Sequence, residues 1–437
     1  MDVIKYRMHR KIPVLWALCL VLCILVLIEF CLVIVTKRTE PQVIPPLPKL
    51  RNVSAIDSKE AERLYRAAKR NEQRLSRVRN VCTKRPELSN ATSRAEFWVS
   101  PRTSLAFCVV PKVGCTSWKR TIRFIEHDPQ TFEYPSDISR FMVHYGDFKT
   151  IHKLKLTEGG QGKWIDPALK FMFSRDPYTR LWSAYLDKFV LPDFWHTARN
   201  AIPVVRQNVT KRALKCGHDL TFEEFVRYNY DHSGFKADPK LNEHFQTVLY
   251  NCNPCKHDFD VIGAAETFDE DTNLVLASAQ TLGVIPKNPK DSRLEREITD
   301  LVDYNLDIVK QTHLHGNISV DCVGLDAVGR RLWEVFQYNG YLGDYVPFPG
   351  AYLKKVTDKK YHNEYKLFLK TVIFDTRKSV TTKTLDNWKE QRTKSMRNAF
   401  RSLPKRIMKQ FQEMYDVDFD LFRYEKYPVW LESRDKN

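Results

Sequence analysis

The stretch LAFCVVPKVGCTSWKR, residues 105–120, decides how this chain is read. Residues 105–110 form a short apolar run with the composition of a buried strand, and Pro111 ends it because proline has no N–H to give a sheet ladder. Gly114 permits a tight turn, after which a helix opened by Thr116 or Ser117 is expected to run to about His127. The N–H groups of a helix's first turn have no partners within the helix and carry the positive end of its dipole. A strand–turn–helix unit of this kind therefore suits a phosphate or sulfate. Lys112 adds a mobile charge at the turn, and Thr116 and Ser117 add hydroxyl donors. The nucleotide-triphosphate loop G-x-x-x-x-G-K-[ST] is a poor match: a single glycine stands here, with its lysine before it rather than after, which disfavours a kinase or ATPase.

The order strand, P-K-x-G-x-T-x-W, helix resembles the 5′-phosphosulfate loop of sulfotransferases, which use 3′-phosphoadenosine 5′-phosphosulfate as donor. The resemblance assigns Pro111, Lys112, Val113, Gly114, Cys115, Thr116, Ser117 and Trp118 to donor binding. It also demands a second strand that ends in an arginine, with a serine eight residues later, for the donor's 3′-phosphate. Residues 170–174 (KFMFS) read as that strand, Arg175 leaves it, and Ser183 stands at the required spacing in TRLWSAYLDKF. Arginine offers a planar fork for bidentate phosphate binding, and serine a hydroxyl.

The 437 residues carry a net charge of +17 and are 43% hydrophobic, enough for a large core in one or two domains. The basic excess points to an acidic partner: nucleic acid, anionic lipid or acidic glycan. Residues 12–35 hold a single charge, Glu29, and are long enough to span a bilayer. Lys5, Arg7, Arg10 and Lys11 precede them, so residues 1–11 are expected to be a cytoplasmic tail and 12–35 a signal-anchor of type II orientation. No small-residue cleavage pattern follows, which disfavours a signal peptide. The bulk of the chain is then lumenal, on a Golgi-type membrane, and nucleic acid is excluded as partner. Residues 36–94 read as a stem, with Pro41, Pro45, Pro46 and Pro48 in an extended spacer and a solvated, heavily charged helix over 57–79.

Asn52, Asn90, Asn208 and Asn317 lie in glycosylation sequons. Seven cysteines fall outside the apolar span, and in an oxidising lumen some should pair, leaving an odd one. Cys252 and Cys255 could form half a zinc site, but no second pair at ligand spacing exists, so disulfides and no metal are expected. Thr221 with Glu224 and Thr267 with Glu270 fit capping boxes, which start helices at those threonines. Residues 259–266 (FDVIGAAE) read as a further strand. Strands alternating with helices predict an α/β domain with a mainly parallel sheet flanked by helices, whose ligands bind at the carboxyl edge of the strands.

Two more blocks narrow the resemblance. Residues 242–247 (NEHFQT), the Cys252-x-x-Cys255 pair and the strand ending at Ala265-Glu266-Thr267 are similar to the carbohydrate sulfotransferases that include the chondroitin 4-O-sulfotransferases, as is MYDVDFDLFRY at 414–424. Together these patterns cover roughly residues 80–283 and 394–425. The resemblance places a sulfotransferase domain at 95–425 and a short tail at 426–437. Residues 284–395 stand where a much shorter connection is expected. This insertion, with a helix predicted over 293–312, could be a lid, an acceptor-recognition subdomain or an oligomerisation surface.

The implied reaction moves a sulfuryl group from the donor phosphate to a glycan hydroxyl, most readily that of a glycosaminoglycan such as chondroitin or dermatan. Like phosphoryl transfer it needs positioning, a charge on the leaving oxygen and a base. The resemblance gives the leaving oxygen to Lys112. For the base, His244 in the NEHF block comes first, then His144, then Glu243. Two other classes remain open from the residues: a type II glycosyltransferase using Asp269-Glu270-Asp271 as a metal-binding DxD, and a non-catalytic glycan-binding protein. The acidic triplet falls in the first turn of a predicted helix, where carboxylates favour the dipole.

Overall fold

The computed structural model describes residues 58–127, 132–146, 150–155, 165–233, 242–286, 293–310, 322, 324–350 and 362–432. The apolar span at 12–35 and the sequons at Asn52 and Asn317 lie outside them. Among the described residues, no helix is long and apolar enough to cross a membrane.

Five strands form one sheet: β1 (Glu96–Ser100), β2 (Leu105–Cys108), β3 (His152–Lys155), β4 (Leu169–Ser174) and β5 (Val261–Ala264). Their order is β3-β1-β2-β4-β5. The helices are α1 (Ser58–Lys84), α2 (Cys115–Ile125), α3 (Arg140–Tyr145), α4 (Pro177–Tyr185), α5 (Trp195–Val205), α6 (Lys211–Cys216), α7 (Phe222–Ser233) and α8 (Val248–Cys252). Beyond β5 come α9 (Phe268–Ser278), α10 (Arg293–Lys310), α11 (Leu325–Tyr338), α12 (His362–Lys378), α13 (Thr382–Arg401), α14 (Lys405–Met414), α15 (Asp416–Phe422) and α16 (Val429–Glu432).

The α/β architecture stands as expected, but the sheet is mixed rather than mainly parallel. β2, β4 and β5 run parallel, whereas β1 pairs antiparallel with both β2 and β3. The cause is the connection: only residues 101–104 join β1 to β2, and so short a link permits a hairpin but no crossover. The parallel trio, reached through helical crossovers, is buried and carries at its carboxyl edge both turns that the sequence resemblance assigns to donor binding.

One core surrounds the sheet. Trp118 of α2 lies 4.4 Å from the Phe171 ring, 5.9 Å from Phe173 and 6.1 Å from Phe107, and so pins the start of α2 onto β2 and β4. A second core is helical. It joins Leu181, Phe189 and Trp195 of the chain after β4 to Ile298, Val302, Leu332, Phe336, Leu369 and Phe400. The stretch expected to be an insertion is thus built into the domain through α10 to α13 and shares its core.

The solvated helix expected in the stem is also docked. Leu64, Ala67, Val78 and Val81 of α1 are buried, and α1 packs on α9, β5 and α15. Its arginines supply the reason, since they neutralise acids of the domain. Arg74 Nη1 is 2.8 Å from Asp271 Oδ2, Arg70 Nη2 is 2.5 Å from Glu270 Oε2, and Arg77 pairs with Asp420. A charged helix with four apolar residues on one stripe reads as solvated until those partners, some 200 residues and more away in sequence, are known.

Disulfides Cys82–Cys255, Cys108–Cys252 and Cys216–Cys322 use six of the seven cysteines outside the apolar span, and Cys115 is free. The two cysteines that could have made half a zinc site are both in disulfides. The capping box at Thr221 forms: its N–H donates to Glu224 Oε2 at 2.9 Å, and its hydroxyl accepts from the Glu224 N–H at 3.2 Å. The one at Thr267 does not. That hydroxyl donates to Asp271 Oδ2 at 2.6 Å, and Asp271 also accepts from the Ala264 N–H, so this carboxylate ties β5 to α9 instead.

Candidate active site

A cavity of about 910 Å³ opens at the carboxyl edge of β2, β4 and β5. The turn after β2 forms its middle. Helix α2 begins at Cys115, one residue earlier than expected, and its N-cap is Gly114 at φ 93°, with no side chain capping it. A side chain at Gly114 would be strained by that φ, and its Cβ would lie 2.3 Å from the Phe268 ring. Lys112, without a glycine's freedom, also sits in the left-handed region at φ 69°. Such backbone strain in a non-glycine residue persists where the surroundings fix it. Here they do: Arg175 Nη1 donates to the Lys112 carbonyl at 2.9 Å, and Arg180 Nε donates to the Pro111 carbonyl at 3.1 Å.

Lys112, Val113, Gly114, Cys115, Thr116, Ser117, Arg175, Ser183, His144, His244 and Glu243 all line this cavity. Pro111 and Trp118 do not; the first offers its carbonyl to Arg180 and the second is core, so both support the loop from behind. Arg175 donates Nε to Thr179 Oγ1 at 3.1 Å, and among the described residues no carboxylate forms an ion pair with it. Burial, and then the nearby charge of Arg392 on α13, push its pKa down to about 10. A half-buried guanidinium in the field of a second one is a place that favours an anion.

The sequence reading missed the centre of the charge network. Asp187 lies in a π-helical turn, residues Leu186–Val190, directly after α4; such turns recur at functional sites. Its Oδ2 is 2.9 Å from Lys112 Nζ and 3.6 Å from Lys188 Nζ, and Arg140 Nη2 lies 2.9 and 3.0 Å from its two oxygens. Although burial opposes ionisation, Arg140, Lys112 and Lys188 hold this carboxyl well below the usual carboxylate range. Burial lowers the Lys112 pKa, with Asp187 opposing the shift. Lys188 pairs with Asp193, and Tyr304 of α10 packs its ring 4.3 Å from the Arg140 guanidinium. The only hint in sequence was a lone carboxylate in the apolar run WSAYLDKFVL.

Two histidines stand in the same cavity. His244 Nδ1 lies 2.6 Å from Asn242 Oδ1. Since that oxygen only accepts, Nδ1 carries the proton and Nε2 keeps its lone pair. Burial and the charge of Lys188 hold His244 well below the ordinary histidine pKa, so it is neutral at pH 7. His144 Nε2 lies 3.3 Å from Thr116 Oγ1, and burial with the charge of Lys119 likewise keeps it neutral. Glu243 Oε1 lies 3.6 Å from Arg94 Nη1 and 3.8 Å from His244 Nδ1.

Arg180, only 2% exposed, joins the donor loop to the NEHF block. Besides Pro111 it reaches the Gln246 carbonyl at 2.6 Å and the Glu243 carbonyl at 3.4 Å. The C-terminal block braces the same parts. Tyr424 Oη lies 3.0 Å from Ser174 Oγ and 3.1 Å from Glu266 Oε2, Tyr415 donates to the Phe245 carbonyl, and Asp418 accepts the Val248 N–H at 2.7 Å. The triplet Asp269-Glu270-Asp271 is engaged with arginines, Asp269 with Arg293 at 3.0 Å and the other two with α1.

Comparison with known proteins agrees with this geometry. A sequence model described as "Sulfotransferase family" matches residues 95–312, and so runs into the region expected to be an insertion. Carbohydrate sulfotransferase 11 of Rattus norvegicus is 34% identical over 226 residues, 50% of this chain and 62% of that protein. Carbohydrate sulfotransferase 12 of Mus musculus is 32% identical over 205 residues, 41% of this chain and 46% of its own length. Carbohydrate sulfotransferase 8 of Homo sapiens is 30% identical over 188 residues, 42% of each. The chain therefore spans less than two thirds of the length of these relatives. No solved structure matches. With a strand–loop–helix turn, an arginine–serine pair at the required spacing and these relatives, residues 95–312 form a domain of the sulfotransferase family, similar to carbohydrate sulfotransferases.

Proposed function

We propose that the chain transfers a sulfuryl group from 3′-phosphoadenosine 5′-phosphosulfate to a hydroxyl of an acidic glycan, a glycosaminoglycan such as chondroitin or dermatan. The observation that carries this reading is one cavity that holds Lys112 on the donor turn, the Arg175 and Ser183 pair, and a neutral histidine. The residues fit the donor. Arg175 and Ser183 are suited to its 3′-phosphate, while Lys112, Thr116, Ser117 and the start of α2 are suited to its 5′-phosphosulfate.

In the transfer, the acceptor oxygen forms a bond to sulfur as the bond from sulfur to the phosphate oxygen breaks. His244 Nε2 takes the hydroxyl proton, for which its neutral form is required. Lys112 neutralises the charge that gathers on the leaving oxygen, and to do so it exchanges Asp187 for that oxygen. His144, bonded to Thr116, orients the donor turn. We read residues 12–35 as a signal-anchor that holds the domain on the lumenal side of a Golgi membrane, with the stem beginning at residue 36.

The test uses the full-length protein in detergent, sulfur-35-labelled donor and a panel of desulfated chondroitin, dermatan, heparosan and unsulfated N-glycans. Label should enter one acceptor and be lost with Lys112→Ala. Absence of label together with no calorimetric binding of 3′-phosphoadenosine 5′-phosphate by folded protein would refute the reading.

A further inference from the structure

One end of the cavity is unused by the chemistry above. The strand pairing places Trp98 of β1 directly opposite Lys153 of β3. Lys153 Nζ lies 5.0 Å from the centre of the Trp98 ring, and Lys119 Nζ, from α2, lies 4.7 Å from the centre of the same ring. Trp98 is almost wholly buried and forms a floor, while both lysines line the cavity beside Tyr145 and His144. Glu96, on the same strand, also lines it but is paired with Arg94. Burial and the charges of Lys119 and Arg123 lower the Lys153 pKa, against the opposing pull of Glu96. Both ammonium groups stand beside one indole and each feels the other's charge, so an anion entering this corner of the cavity meets two cations.

The position of this pair follows from the sheet. β2 bears the donor turn, β4 on one side bears Arg175, and β1 with β3 on the other side bear Trp98 and Lys153. Lys119 follows Thr116 by three residues on α2, about 4.5 Å along the helix axis. The basic corner thus adjoins the reacting centre on the side away from the arginine of the donor site.

We propose that Lys119 and Lys153 form a subsite for an anionic substituent of the acceptor, the carboxylate of a uronic acid next to the sugar that receives the sulfuryl group. Each carboxylate oxygen accepts from one ammonium. The subsite rests on the function proposed above and names what that function selects. A charge-assisted hydrogen bond contributes roughly tenfold or more in affinity.

The experiment compares unsulfated chondroitin with the same polymer after reduction of its carboxylates to alcohols. It uses the full-length protein and the variants Lys119→Gln, Lys153→Gln and both together. The wild type should prefer the carboxylate polymer at least tenfold in kcat/KM, and the double variant should lose the preference while binding 3′-phosphoadenosine 5′-phosphate as before. Should Lys119→Gln fail to bind nucleotide, the single variant at the more exposed Lys153 decides alone, with a reduced preference expected. Transfer to both polymers alike by the wild type, or an intact preference in a nucleotide-binding variant, overturns the subsite and leaves the transferase standing. No transfer to any glycan removes both.

Discussion

Replacing Asp187 by Asn keeps the side chain's shape and deletes one charge from the middle of three cations. The 2.9 Å contacts to Lys112 and Arg140 are each worth up to about 6 kcal/mol at an effective dielectric of 20, before desolvation is counted. Removing one partner of a buried ion pair costs about 3–5 kcal/mol net, because the remaining charge is left without compensation. The variant without ligand should therefore unfold several degrees lower in a calorimetric scan. An anion at the donor turn supplies the missing charge, and in the variant it no longer competes with Asp187 for Lys112. 3′-Phosphoadenosine 5′-phosphate should accordingly bind at least tenfold tighter than to wild type and restore a larger part of the lost stability. The pH dependence carries a second check. A carboxyl whose pKa is depressed on folding contributes stability that is present above its unfolded pKa, near 3.9, and is lost as pH falls toward its folded one. The gap between wild type and variant should thus be the same at pH 7 and pH 5 and close only below about 4. An unchanged unfolding temperature, or weaker nucleotide binding by folded variant, would refute the role given to Asp187.

Lys112→Ala should lower kcat by about 10²–10³ in single-turnover assays, the usual effect of removing a group that stabilises charge in the transition state. His244→Ala should lose about 10²–10⁴, and since burial holds the wild-type imidazole well below its ordinary value, the acid limb of kcat/KM should fall below pH 6.5; a limb at or above 6.5 would contradict this base. Arg180→Met leaves the buried carbonyls of Pro111 and Gln246 without their donor, at about 1–3 kcal/mol each, and should lower the urea midpoint and raise the donor KM together. Replacing both Cys108 and Cys252 by Ser should cost about 3–5 kcal/mol in urea unfolding, as expected when a loop with a sequence separation of 144 is released.

The parts of the site that depend on local order were legible in the sequence. The apolar run, Pro111 and Gly114 specify a strand and a turn whatever lies around them, and the eight-residue spacing from Arg175 to Ser183 survives because both stand on one strand–helix unit. What the sequence hid depends on contacts between distant segments. Asp187 looks like any surface acid of a helix until α3 brings Arg140 to it. Arg180 looks like a helical arginine until the Pro111 and Gln246 carbonyls meet it. The charged run at 57–79 reads as solvated because its partners Glu270, Asp271 and Asp420 are far along the chain. The parallel reading of the sheet extended a rule that holds for β2, β4 and β5 to strands whose four-residue link forbids it.

The three disulfides set a constraint on how the chain is made. Cys82 and Cys108 emerge early but their partners are 173 and 144 residues downstream, and Cys216 waits for Cys322 across a separation of 106. During synthesis the first thiol to follow Cys108 is Cys115, seven residues away on the turn after β2. A bond between those two would steal the partner of Cys252 and clamp the loop proposed to hold the donor. Correct oxidation therefore requires that early thiols stay reduced or be reshuffled until α8 and Cys255 just after it have been reached, so that the fidelity of cysteine pairing in the nascent chain decides how many molecules ever possess a working site.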